Sequence, residues 1–142
     1  MPSYLEDILA GSNDEGLLYA LYSHIESPRN PVQARFVDAW ELSEFVASDG
    51  FEILFEQDRS IDEFTQLFAE VGFLEALPIF ENVKAVVPSE MLAGAHHPEL
   101  RDHLTRNFDR LNELLHEYFD IADARLLAAF GQYVRDHQEH FH

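Results

Sequence analysis

Trp40-Glu41-Leu42-Ser43-Glu44-Phe45-Val46-Ala47-Ser48-Asp49-Gly50-Phe51-Glu52-Ile53-Leu54-Phe55 is the stretch in which this chain is at once most apolar and most acidic. At about 100° per residue, Phe36, Ala39, Trp40, Leu42, Phe45 and Val46 cover more than half of a helix circumference and leave Glu41 and Glu44 as a narrow stripe. A helix so nearly apolar all round belongs at the centre of a domain. Asp49-Gly50 ends it, because glycine takes the left-handed conformation that closes a helix, and Phe51, Leu54 and Phe55 begin a new apolar face.

Helical spacing continues outward in both directions. Upstream, Ser3-Tyr4-Leu5-Glu6 has the spacing of a capping box, and Leu5, Ile8 and Leu9 predict a short helix ending at Gly11. Asn13 or Asp14 caps a second helix with Leu17, Leu18, Leu21, Tyr22 and Ile25 on one face. Ser27-Pro28-Arg29-Asn30-Pro31 reads as a loop, since proline biases its predecessor away from helix, and Pro31 suits the first turn of the central helix.

Downstream, Glu56 to Arg59 is a polar turn, and Ser60-Ile61-Asp62-Glu63 repeats the capping spacing. The helix it opens places Ile61, Phe64, Leu67, Phe68 and Val71 on one side and Asp62, Glu63, Gln66 and Glu70 on the other, stopping at Gly72. Leu74 to Val87 gives a further helix, with Pro78 in the first turn, where its missing N–H has no helical partner, and Pro88 closing it. A connection over residues 89–97, with one helical turn at Glu90 to Ala93, leads to Pro98. From there Leu100, Leu104, Phe108, Leu111, Leu115 and Tyr118 step by four and three along one long helix. Asp120 or Asp123 caps the last helix, which carries Leu126, Leu127, Phe130, Tyr133 and Val134, and Asp136 to His142 form a polar, fraying tail. No segment alternates with a period of two. The expected fold is all-α: a single compact domain of about seven helices over residues 1–142, built around the helix containing Trp40.

Composition fits that reading. The chain has 142 residues, 46% of them hydrophobic and 12 of them Phe, which is material for one sizeable core. It has no cysteine, which excludes disulfides and thiolate metal sites. No apolar run approaches the roughly 20 residues that span a bilayer, and no basic-then-apolar leader opens the sequence, so the expected location is cytoplasmic.

The formal charge is −18, from 27 acidic and nine basic residues. A field of that size repels nucleic acid and anionic membrane, so neither is an expected direct partner. Residues 36–100 carry fourteen acids and two bases, whereas residues 101–142 carry eight and five. Two thirds of the charge therefore sits in the middle segment. An acidic surface also serves solubility without any partner, and this competes with every functional reading of the acids.

Signatures of catalysis are sparse. His96-His97 with His137, His140 and His142 are the available metal-ligand types, but adjacent histidines diverge, and a fraying tail lacks the fixed geometry that a metal site needs. His103 and His116 form no i, i+4 pair. No phosphate-binding glycine loop, G-x-S-x-G elbow or H-E-x-x-H motif occurs. The acids look uniformly exposed, whereas acid–base catalysis needs carboxyl groups in unequal environments. No catalytic residue, cofactor or metal is expected.

Trp40 in its helix, Gly50-Phe51, the aromatic Phe55, the later turn glycine Gly72 and the helix-closing Pro88 together resemble the helical family catalogued as domain of unknown function 4375. The resemblance covers roughly residues 17–137. The chain departs from the pattern where Asp49 replaces the first glycine, where Ile53 and Glu56-Gln57 replace Gln and Asn, and where Phe73 replaces an alanine. That family includes a bacterial DNA-mimic protein. The resemblance therefore implies a helical fold, a homodimer and a non-enzymatic acidic surface that occupies the basic face of a DNA-binding regulator.

Two classes of function follow. In the first, Glu41, Glu44, Glu52, Glu56, Asp58, Asp62, Glu63 and Glu70 bind a basic nucleic-acid-binding protein. One acid per turn gives a charge every ~5.4 Å, against one phosphate per ~3.4 Å of a DNA strand, so mimicry requires acids from neighbouring helices or protomers to converge. The seam from Pro98 to Tyr118, in the least charged part of the chain, is the candidate dimer contact. In the second class the acids are solvent decoration, and a small-molecule or metal-dependent activity lies near His96 and His97. Replacing Trp40 by Ala tests the fold common to both: the loss should be on the order of 3 to 5 kcal/mol in urea unfolding, and an unchanged midpoint would remove this stretch from the core.

Overall fold

A computed structural model describes residues 2–51, 61–86 and 100–141, and all regular secondary structure among them is helical. The elements are α1 (Ser3–Leu9), α2 (Glu15–His24), α3 (Pro31–Asp49), α4 (Ile61–Glu70), α5 (Leu77–Val86), α6 (Leu100–Arg106) and α7 (Phe108–Asp136). Short 3-10 turns at Leu74–Ala76 and Gln138–His140 complete the set. Seven α-helices among the described residues agree with the all-α reading. The expected turn at Glu56 to Arg59, the cap at Ser60, the stop at Pro88 and the connection over 89–97 lie outside the described residues.

Local chemistry sets most boundaries. Asp14 caps α2, its carboxylate accepting the Leu17 N–H at 3.1 Å, and Asn30 caps α3 by accepting the Gln33 N–H at 2.9 Å. Pro31 occupies the first turn of α3. Gly50 ends that helix at φ 77°, a conformation that costs glycine nothing. Past α4, Phe73 N–H bonds the Phe68 carbonyl at 2.9 Å and Gly72 N–H that of Ala69 at 3.1 Å, the paired bonds of a Schellman motif. Its accompanying apolar contact is Phe68 against Phe73, edge-on at 5.8 Å. The capping box at Ser3 does not form. Ser3 lies inside α1, with Pro2 at the cap position and no side-chain capping bond.

Two boundaries near the end of the chain differ from expectation. The single helix from Pro98 to Tyr118 is interrupted at Asn107, whose φ −106° and ψ 17° leave the helical region, while its Nδ2–H donates to the His103 carbonyl at 2.9 Å. No break occurs at Asp120 or Asp123, and α7 runs through both for 29 residues. An interior Asp costs roughly 0.7 kcal/mol or less. Ile121, Ala122, Leu126 and Leu127, packed partly against the core, carry the apolar face across that point. Leu74 to Val87 likewise resolves into a 3-10 turn followed by α5, with Pro78 in the first turn of α5.

Two aromatic clusters fill the interior. In one, Trp40 stacks on Tyr22 (5.8 Å between centroids) and meets Phe36 (6.2 Å) and Phe130 (5.3 Å), joining α2, α3 and the end of α7. In the other, Phe51, Phe73 and Phe80 surround Tyr118, with Phe68 stacked on Phe80 at 5.2 Å. These residues tie α4 and α5 to the first half of α7. The Tyr118 hydroxyl is buried with no hydrogen-bond partner among the described residues, and burial pushes its pKa well above the ordinary value. Two residues expected on the core face are instead exposed: Phe45 (44%) and Phe108 (55%). Phe45 lies about 180° from Phe36 around α3, and Phe108 is the first residue after the break at Asn107.

The segment from Asp136 onward, expected to fray, is docked. The 3-10 turn Gln138–His140 folds back, and Phe141, 2% exposed, packs edge-on against Phe36 (5.6 Å) and Tyr133 (6.3 Å). The His140 carbonyl accepts from Asn30 Nδ2 at 3.1 Å and from Gln33 Nε2 at 2.6 Å, so the start of α3 holds the tail. Nearby, Arg135 of α7 donates to the carbonyls of Ile8 (3.1 Å) and Ser12 (3.3 Å) and to Asn13 Oδ1 (3.0 Å). Asn13 comes that close because position 131 is glycine: a Cβ there would lie 1.9 Å from Asn13 Oδ1. Phe141→Ala should therefore destabilise the protein by about 3 to 5 kcal/mol in urea unfolding; wild-type stability would show that the tail contributes nothing to the core.

Candidate functional site

The narrow acidic stripe of α3 is held in place by neutral donors. Glu41 and Glu44 are three residues apart and therefore one turn apart on the same flank. Glu41 Oε1 accepts the Tyr22 hydroxyl at 2.9 Å, and Glu44 Oε1 accepts the Trp40 indole N–H at 2.9 Å. Neither carboxylate has a cation within ion-pair distance among the described residues. Each carboxylate is oriented by a neutral donor of the aromatic cluster.

Aromatic rings border the pair. Tyr19, Tyr22 and Trp40 form a triangle of rings, in which Tyr19, 53% exposed, lies 6.1 Å from Tyr22 and 6.5 Å from Trp40. Burial raises the Tyr22 pKa, the hydrogen bond to Glu41 and the charges of Glu41 and Glu44 raise it further, and it stands at about 12. Tyr22 therefore remains a donor through the physiological range. A wall of tyrosine faces beside two fixed carboxylates suits a guanidinium or ammonium group.

On α4, Asp62, Glu63 and Glu70 lie on the outer face and are exposed. Glu70 accepts from Arg35 Nε at 2.8 Å and from Gln66 at 3.3 Å, and Asp62 accepts from Lys84. The bond to Asp62 holds the Lys84 ammonium above its ordinary pKa. Asp62 and Glu70 thus face cations of the chain itself. Arg35 projects about 180° from Glu44 around α3, which puts Glu70 on the flank opposite the Glu41–Glu44 pair. Glu52, Glu56 and Asp58 lie outside the described residues. The structure thus brings Glu41 and Glu44 together, and Asp62, Glu63 and Glu70 together, on separate faces.

Tyr22 was expected on the apolar face of α2, and neither it nor Tyr19 was among the site residues expected from the sequence. Glu44 one turn after Trp40 is a local signal for the indole bond, whereas Tyr22 and Glu41 meet across nineteen residues with no local sign. Of the histidines, His96, His97 and His142 lie outside the described residues. His137 donates from Nδ1 to the Tyr133 carbonyl at 2.8 Å, His103 from Nε2 to that of Val86 at 2.6 Å, and His140 lies 3.5 Å from Glu139. Among the described residues no three His, Asp or Glu side chains are placed to hold a metal ion, and no helix is long and apolar enough to cross a membrane.

No family model matches this chain, and no curated protein or solved structure matches it.

The Tyr22 shift gives a pH test. Its folded pKa of about 12 exceeds the ordinary value of 10.0, so its contribution to stability is complete below pH 10 and is lost as the pH rises toward 12. Tyr22→Phe should therefore lower stability at pH 8 and narrow the gap to wild type at pH 12. A gap in urea midpoint that stays constant between these pH values would contradict the raised Tyr22 pKa.

Proposed function

We propose that the protein is a non-enzymatic acidic docking module that occupies the basic, DNA-binding face of a regulator or another nucleic-acid-binding protein, with the charge density of a DNA mimic reached when a second protomer adds its own Glu41–Glu44 pair. The observation that carries this reading is the Glu41–Glu44 pair, which among the described residues is hydrogen-bonded to the neutral donors Tyr22 and Trp40 and is held in place by them. Presenting charge on an immobilised group lowers the ordering cost of association. An arginine or lysine of the partner can pair with the carboxylates and lay its cation over the exposed Tyr19 ring. A net charge of −18 steers such a basic surface toward the protein. The α4 face, where Lys84 and Arg35 offset Asp62 and Glu70, is secondary. The resemblance of Trp40, Gly50-Phe51 and Gly72 to the mimic-containing helical family supports the same reading.

Immobilised protein should retain basic DNA-binding proteins from a lysate at low salt and release them as salt rises, since screening acts within roughly 8 to 10 Å near physiological ionic strength. Duplex DNA should displace them, because mimic and DNA compete for one face. Glu41→Gln with Glu44→Gln should weaken retention about tenfold or more, whereas Asp62→Asn with Glu63→Gln should weaken it less. Retention indifferent to DNA competitor and to the Glu41 and Glu44 changes would sink the proposal.

A further inference from the structure

A cavity of about 300 Å³ opens between the start of α1, the end of α2 and the start of α3. It lies at the small end of the range for ligand sites. Its apolar part is made by Leu5, Leu21 and Phe141, all buried side chains that also belong to the core. Tyr4 and His24, packed edge-on at 5.1 Å, form one side.

The lining also carries an unusual feature. Arg29 is exposed at the cavity and has no ionic partner among the described residues, in a chain where acids outnumber bases 27 to nine. Its backbone is fixed: the Arg29 N–H donates to Gln33 Oε1 at 3.0 Å, and Gln33, 5% exposed, is itself held by the His140 carbonyl and by the Asn30 cap. The backbone that carries this guanidinium is therefore fixed at the opening, which Ser27 and His24 also line.

From this arrangement we infer that the cavity binds a small monocarboxylate with an apolar body, its carboxylate on Arg29 and its body against Leu5, Leu21 and Phe141. A second negative charge is disfavoured, since Glu26 also borders the opening and the whole chain is strongly acidic. Polyphosphates and dicarboxylates are excluded on the same ground. The site is independent of the Glu41–Glu44 surface and stands whether or not that surface binds a basic partner.

The test uses the full chain and three probes of one shape: 3-phenylpropanoate, its uncharged amide and 3-phenylpropylammonium, titrated while backbone amide resonances are followed. The propanoate should give saturable shifts at Leu5, Leu21, Gln33 and Phe141. Arg29→Ala, a change at an exposed side chain, should weaken it about tenfold or more, and Arg29→Lys should recover part of the loss. Equal binding of the amide, tighter binding of the ammonium, indifference to Arg29→Ala, or no saturable shift at these amides would each overturn the inference.

Discussion

Two aromatic clusters are held in register by one helix, and the remaining packing depends on α7 staying unbroken between them. Tyr118 enters one cluster and Phe130 the other, twelve residues apart, or ~18 Å along the helix axis. α3 spans the same interval from the other side, sending Phe36 and Trp40 into one cluster and, just past Gly50, Phe51 into the other. Aromatic pairs of this kind are worth about 0.5 to 1.5 kcal/mol each beyond the area they bury. That gain requires both helices to keep their pitch over the whole interval. Between the clusters α7 is only half-buried, so its continuity there rests on helix propensity and on the partial cover of Ile121, Ala122, Leu126 and Leu127.

The same framework governs the electrostatics. Exposed ion pairs such as Arg35–Glu70 and Lys84–Asp62 contribute little to stability, yet they mark where the chain uses its few cations. Arg35 and Lys84 are placed against α4, and Arg135 is bound to the end of α1. Among the described residues Glu41 and Glu44 receive no cation and are instead oriented by Tyr22 and Trp40, both members of an aromatic cluster. Core packing thus fixes the position of surface charge: the indole that anchors α3 also aims a carboxylate outward.

Much of the fold was legible in the sequence because its signals are local. Asp14, Pro31, Gly50 and Gly72 each act on backbone within a few residues, and the two-faced spacing of α4 needs no partner to be read. What was not legible depends on distant partners. Phe45 carries an apolar signal, but it faces away once α3 commits Phe36 to the core. Asp120 and Asp123 resemble a cap, yet the energy they withhold from a helix is smaller than what the continued apolar face supplies. Asn107 ends α6 through a bond to His103 that spacing alone does not announce. The tail looked polar because one residue, Phe141, carries its anchor, and the groups that receive it, Asn30 and Gln33, lie more than a hundred residues earlier. The site followed the same division: the i, i+3 geometry of Glu41 and Glu44 was readable, whereas their donors and the separation of Glu70 were not.

The docking of Phe141 and Arg135 onto the first helices also bears on how the chain is made. α1, α2 and α3 expose Leu5, Leu21, Phe36 and Trp40 to one another, but the rings and donors that close over them arrive between Phe130 and Phe141. Contacts of such long sequence separation form late, because a large loop must close first. During synthesis the first three helices therefore carry an open apolar face until residues 130–141 have left the ribosome, an interval in which such surfaces recruit chaperones or one another. A high density of negative charge, repelling other nascent chains, protects that interval before it serves any folded purpose.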